Sequence, residues 1–400
     1  YMVSVTEAAD IIFSNLLKPR VENVSLSQSV NRVLGEVIKA DRDFPPFDRV
    51  SMDGIAIQYQ VWKAGKKEFP VEFVQAAGTP KSRLSSSDNC AEVMTGAVVP
   101  ENSDTVIKYE DLEMLSEYAR VIIENVSQGQ NIHKRGIDCR ENEVLLDPGI
   151  LLSPAEVALL ASVGKTNVDV FALPATAFVS SGDELVDIAE IPTTHQNRRS
   201  NTYAIEAAMQ SLSWHAKQFH FPDDRSILLS SLETILANHE VVILSGGISK
   251  GKFDFIPQIL EQLGIKKLFQ HVNQRPGKPF WFGSSSQGKT VFALPGNPVS
   301  TYMCFYRYIK PWIFKSLGAP LPELTASLAS DFTFEPSLTY FLQVSARCEQ
   351  GKLLAYPLAG GGSGDFVNLK NVTGFLQLPP EQSNFKAGQI FPYFPFRHHV

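Results

Sequence analysis

Long hydrophobic runs are missing from this sequence. No apolar stretch approaches the ~18 residues needed to cross a bilayer. The opening "YMVSVTEAAD" carries two acids and lacks the basic-then-apolar order of a signal peptide, so a cytoplasmic chain is expected. Cysteine is scarce: Cys90, Cys139, Cys304 and Cys348. No two stand at C-x-x-C spacing, which leaves a zinc site or a redox dithiol without support. They are also too few for a disulfide framework, and reduced, buried thiols are expected. An excess of positive charge is lacking too. The formal net charge is −6, against bulk binding to nucleic acid or a membrane surface, although a local basic pocket is allowed. The eight histidines show no metal spacing. No G-x-S-x-G is present, so a hydrolase triad has no motif behind it.

What is present describes an ordinary globular protein, 44% hydrophobic and 20% charged over 400 residues. At roughly 100–200 residues per domain this length accommodates two to four domains. Residues 5–18 have the spacing of an amphipathic helix, and "SQSVNRVLG" also reads as helical. "DFPPFDRVSMDGIAI" then breaks all periodicity. Alternating runs separated by turn residues make 55–138 β-rich. Ser153-Pro154-Ala155-Glu156 opens a helix as a capping box, and Gly164 closes it. From about residue 170, strands alternate with helices, the pattern of a parallel sheet covered on both faces. Strand patterns alone return after residue 318. The expected division is 1–42 with 139–169, 43–138, 170–318 and 319–400.

In a doubly wound sheet, ligands bind beyond the carboxyl ends of the strands. Three loops of unusual chemistry follow strands. "LSGGISKGKFDF" places Ser245, Gly246, Gly247, Ser249 and Gly251 where free N–H groups favour an anion. It is neither a P-loop nor a G-x-G-x-x-G loop. Lys250 and Lys252 add positive charge, and Asp254 beside a phosphate would call for Mg²⁺ between them. A tight turn with Asp254 as helix cap is the alternative. "SSGDEL" offers Asp183 and Glu184 as metal ligands or base, or else a solvated loop with one helix cap. "LPGNPVS" is a rigid turn bringing Asn297 and Ser300, or else a helix cap. "QRPGKP" sets Arg275 and Lys278 around a Pro-Gly turn, suited to gripping phosphate, or else a solvated basic turn. In the amino-terminal half, Asp53 and Thr95 lie on loops, and Lys134 and Arg135 precede Asp138.

Taken in order, "PPFDRVSMDGIAI", "VMTGAVVPENSDTVI", "QNIHKRGID", "VSSGDEL", "LSGGISKGKFDF", "RPGKPFWFG" and "LPGNPVS" resemble the MoeA-type molybdopterin molybdenumtransferases. The likeness covers residues 5–318 well and the remainder weakly. It implies a multidomain α/β plus β protein. Its parts would be a central doubly wound α/β domain of the molybdopterin-binding type, an inserted β-rich domain, a linker region and a small C-terminal β-barrel-like domain. The implied reaction takes molybdenum from molybdate into adenylated molybdopterin and releases AMP, with Mg²⁺ as cofactor. The implied assembly is a homodimer whose subunits share each site. A molybdopterin adenylyltransferase is the implied donor of substrate.

Position by position, the resemblance makes Asp53, Asp138, Glu184, Asp223 and Asp254 the acidic site residues, with Glu184 and Asp254 as metal ligands. Asp223 is preferred to its neighbour Asp224. It makes Thr95, Ser181, Gly182, Asn201, Ser245, Gly246, Gly247, Ser249, Gly251, Arg275, Lys278, Pro295, Asn297, Pro298 and Ser300 substrate contacts. Arg275 stands where Lys is common, Arg199 where Asp is frequent, and His133 in place of a basic residue. The loop "GGGSGDFVNL" matches the family's serine-containing loop only loosely. Two other readings compete. A CinA-like nucleotide pyrophosphatase would share the α/β loops but leaves residues 43–138 unexplained. A gephyrin-like scaffold would not need the acids, all of which are retained.

Overall fold

The computed structural model describes residues 2–248, 255–358 and 360–397. Ser249, Lys250, Gly251, Lys252 and Asp254 lie outside the described residues. The chain forms two compact units. One comprises Tyr1–Gly35, Gly149–Pro154 and Asn167–Val400; the other comprises Glu36–Pro148 and Ala155–Thr166.

The larger unit is built on a six-stranded sheet in the order Ala216–Phe221, Thr176–Ser181, Val241–Ser245, Thr290–Leu294, Pro279–Ser284, Lys266–His271. The first four strands are parallel and the last two pairings antiparallel. Alternate residues feed two cores, as the period of two in a strand requires. Phe178, Val241, Ile243, Phe292 and Leu294 face one side, joined by the helices Val5–Phe13 and Ser200–Gln210. Ala177, Val179, Val242, Leu244 and Ala293 face the other, under the helices Arg225–Asn238 and Ile256–Gln262. Both faces being covered, the central strands read as continuous apolar runs.

A closed barrel follows. Thr339–Glu349, Lys352–Pro357, Leu324–Leu328, Ile390–Pro395 and Gly374–Leu378 pair in turn, and the last returns to the first. Leu342, Val344, Leu376 and Leu378 are among the residues filling it. The smaller unit carries its own six-stranded sheet, ordered Thr105–Lys108, Gly54–Ile57, Cys90–Val93, Glu68–Gln75, Tyr118–Val121, Leu112–Met114. Gly54–Ile57 is buried on both faces, with Ile55 and Ile57 in one cluster and Ala56 in another.

Two local expectations are corrected. The first helix ends at Phe13, not near residue 18. Ser14 Oγ and Asn15 Nδ2 donate to the carbonyls of Asp10 and Ile11, and that local competition stops the ladder. "SQSVNRVLG" is not an α-helix. A 3₁₀ turn, Leu26–Gln28, gives way to Asn31 at φ 62°, a left-handed conformation that no helix continues through.

Candidate functional site at the carboxyl rim of the sheet

Strand order locates the site before any side chain does. From Thr176–Ser181 the chain crosses to one neighbour, Ala216–Phe221, and then returns to the other, Val241–Ser245. The crevice between the ends of Thr176–Ser181 and Val241–Ser245 is the topological switch point, where open α/β sheets bind ligands. Ser181 and Gly182 line one side, Gly246 and Gly247 the other.

The two sides approach closely enough to require glycine. A Cβ on Gly246 (φ +99°) would stand 2.9 Å from the Ser181 carbonyl oxygen. One on Gly247 (φ +66°) would stand 3.0 Å from Ser181 Oγ and 2.6 Å from Ile256 Cδ1. Among the described residues, Ser181 Oγ is buried without a hydrogen-bond partner. An orphaned buried hydroxyl is costly in an otherwise satisfied interior. Here it faces a glycine loop, an arrangement that suits an incoming acceptor such as a phosphate oxygen.

A single amide ties this crevice to the third loop. Asn201, in the first turn of Ser200–Gln210, donates from Nδ2 to Ser245 Oγ at 2.9 Å, Gly296 O at 2.7 Å and Thr301 Oγ1 at 3.3 Å. Pro295 O accepts from Thr301 Oγ1 at 2.6 Å and Ser245 Oγ at 3.4 Å. Pro298 opens the following helix, Pro298–Cys304, whose Ser300 is buried. Asn297 turns outward and donates to Ser363 Oγ at 2.7 Å, while Ser363 O accepts from Val299 N–H at 3.1 Å. Ser363 therefore joins the rim from the barrel side. Its loop is docked, where the glycines alone suggest a free one.

The acids separate by environment. Asp224 caps Arg225–Asn238, accepting from Ser226 N and Ile227 N at 2.9 Å each. These bonds and the Ser226 hydroxyl hold its carboxyl below the ordinary range. Asp223 is not that cap; its own N–H donates to Asp183 Oδ1 at 3.2 Å. Glu184 is exposed, and its carboxylate folds back over Gly182, 2.7–2.8 Å from where a Cβ would stand. Arg199 pairs with Asp187 just beyond that loop. His220 Nδ1 lies 3.0 Å from Ser180 Oγ, and burial, then Arg199, lowers its pKa.

Arg275 and Lys278 are exposed where the antiparallel strand Pro279–Ser284 begins, at the same rim. Two strand spacings, about 10 Å, separate that strand from Val241–Ser245. Among the described residues no group of three or more His, Cys, Asp or Glu is placed to hold a metal.

In the smaller unit, Thr95 N–H donates to Asp53 Oδ1 at 2.6 Å, so these two predicted residues meet. That bond holds the Asp53 carboxyl below its usual value. Gly54 follows because a Cβ there would fall 1.9 Å from Ile107 O. Asp138 is held by His133 Nε2 at 2.9 and 3.0 Å. Both acids hang from one crossing: Arg49–Val50 pairs with Ile132–His133 on one edge, and Val50 N bonds Ala97 O at 2.9 Å on the other.

A doubly wound domain with a glycine-lined switch point, flanked by a β-rich unit and a closed barrel, defines the class. Residues 177–315 match the model of a probable molybdopterin binding domain. The flanks match as well: 3–164 the MoeA N-terminal region (domain I and II) and 325–396 the MoeA C-terminal region (domain IV). A molybdopterin molybdenumtransferase from Synechocystis is 39% identical over 98% of this chain and 100% of its own length. One from Staphylococcus epidermidis is 28% identical, covering 97% of this chain and 94% of its own. A crystal structure of the MoeA protein of molybdopterin biosynthesis from Pyrococcus horikosii superimposes with a TM-score of 0.82 at 27% identity, covering 99% of this chain and all of that one. The chain belongs to the MoeA family of molybdopterin molybdenumtransferases. Matches on both flanks disfavour the pyrophosphatase reading, which rested on the α/β domain alone, and the scaffold reading is not favoured either.

Proposed function

We propose that this chain transfers molybdenum from molybdate to adenylated molybdopterin. In that reaction the dithiolene takes up the metal, water cleaves the pyrophosphate P–O bond, and AMP leaves. The carrying observation is the switch-point crevice, where the Ser181 hydroxyl, unpartnered among the described residues, faces Gly246 and Gly247. That hydroxyl and the Gly247 N–H bind the pyrophosphate, while the Gly246 N–H is bonded to the Leu294 carbonyl at 3.2 Å. Arg275 and Lys278, about 10 Å along the rim, are within the length of the substrate and add positive charge there.

Glu184 contributes a hard oxygen donor over Gly182. With Asp254 and a substrate phosphate it would hold Mg²⁺, which takes one or two carboxylates together with phosphate oxygens. Bound there, the ion would neutralise phosphate charge. Asp53, Asp138 and Asp223 complete the acidic set and position the attacking water.

The protein works as a cytoplasmic homodimer. The Asp53–Thr95 and Asp138 groups of one subunit serve the rim of the other, and an adenylyltransferase supplies the substrate. A monomer in light scattering at working concentration would contradict that arrangement. The function itself is tested with purified protein, adenylated molybdopterin, molybdate and Mg²⁺. AMP and molybdenum-loaded pterin should appear in equal amounts. AMP without metal in the pterin would restore the pyrophosphatase reading.

A further inference from the structure

Beneath the basic turn Arg275-Pro276-Gly277-Lys278 lies a polar pair that the reaction does not account for. Gln274 is 1% exposed and Tyr308 fully buried. The Tyr308 hydroxyl donates to Gln274 Oε1 at 2.5 Å, and Gln274 Nε2 donates to Gly277 O at 2.9 Å. Phe280, Met303 and Cys304 pack in the same cluster, and the Arg307 guanidinium lies 5.0 Å over the Tyr308 ring. Filling that space needs no amide and no hydroxyl. Two hydrophobic side chains would do it without the cost of desolvating polar groups. What an apolar pair cannot do is hold the Gly277 carbonyl, and with it the direction of the peptide leading into Lys278.

Two further observations fit that role. Tyr308 lies in a π-helical turn, Phe305–Ile309, a geometry that re-aims side chains and is common near functional sites. At Gly277 the fit is closed: a Cβ would meet Cys304 Sγ and Gln274 Nε2, each at 2.9 Å. The barrel secures the flank. Gln274–Arg275 pairs with Thr339 and Tyr340, Thr339 N–H donates to Asn273 O at 3.1 Å, and the Arg275 guanidinium lies 5.9 Å over the Phe334 ring. Burial raises the pKa of Tyr308, so its hydroxyl remains a donor throughout the working pH range.

We infer that Gln274 and Tyr308 are positioning residues that fix the Arg275–Lys278 turn for the anionic substrate, with the barrel as its lateral support. This rests on the turn being part of the substrate site proposed above. Tyr308→Phe, Gln274→Met and the double variant are compared with Arg275→Ala. Thermal stability and affinity for adenylated molybdopterin, by calorimetric titration, are measured for each.

Each single variant should weaken affinity about fivefold, the equivalent of one neutral hydrogen bond. The double variant, with an apolar pair restored, should regain stability but not affinity. Recovery of both would show that the pair only fills space and would overturn the inference. So would unchanged affinity in the single variants while Arg275→Ala binds weakly. Unchanged affinity in Arg275→Ala as well would remove the turn from the substrate site, and this inference with it. If Gln274→Met does not fold, Tyr308→Phe, which deletes one oxygen, decides alone.

Discussion

Asp53 shows how one backbone bond sets a side chain's chemistry. The Thr95 N–H is aimed at its carboxylate, so the charged form is favoured and the folded pKa falls below that of the unfolded chain. A depressed carboxyl stabilises the fold above its unfolded value, near ~3.9, and that contribution is lost as pH falls through the lower folded value. Asp53→Asn should therefore be less stable than the parent at neutral pH, with the gap closing below pH ~4; melting curves across pH 3–7 measure it. The same variant should lose AMP release by at least about a hundredfold, since the side-chain oxygen can still accept from Thr95 but the charge is gone. Near-parental release would show that the charge is dispensable.

Much at this scale was legible. Asp53 and Thr95 were singled out separately, and a loop-to-loop bond joins them. Asp224 caps the helix Arg225–Asn238. Gln274 and Tyr308 were not legible, because their partnership spans 34 positions and no local pattern joins them.

Among elements, the strand-then-loop pattern was the strongest signal. Val241–Ser245 and Thr290–Leu294 are buried at every position, which appears in the sequence as unbroken apolar runs ending in glycine. The crossing between their loops could not be read, because Asn201 reaches Gly296 across 95 residues. Asn201→Ala would remove one donor from three acceptors and leave the Gly296 carbonyl and Ser245 hydroxyl to water. Affinity for adenylated molybdopterin should fall by roughly tenfold or more, while the melting temperature drops only a few degrees. A large loss of stability with unchanged affinity in the folded fraction would make Asn201 a core residue and not a loop tie. Helix ends were the least legible. Ser14 and Asn15 bond back to the preceding turn, and neither changes the apolar spacing that suggested a longer helix.

For the whole molecule, order along the chain mattered more than any single motif. The α/β loops taken alone also fit a pyrophosphatase; the flanking β-rich unit and the barrel distinguish the family. The barrel was expected from the family resemblance, whereas local patterning alone offered only a β module, since no local pattern reveals that Gly374–Leu378 pairs back to Thr339–Glu349. Its place in the account is now physical: it carries Ser363 to the rim and supports the flank of the Arg275 turn.

Everything above turns on the switch-point crevice holding the substrate's pyrophosphate. A crystal structure with bound adenylated molybdopterin tests it most directly. Pyrophosphate density should lie within hydrogen-bond reach of Ser181 Oγ and of the Gly247 N–H, with one end of the ligand running toward Arg275 and Lys278. Ordered ligand elsewhere, with Ser181 Oγ still unpartnered, would contradict it.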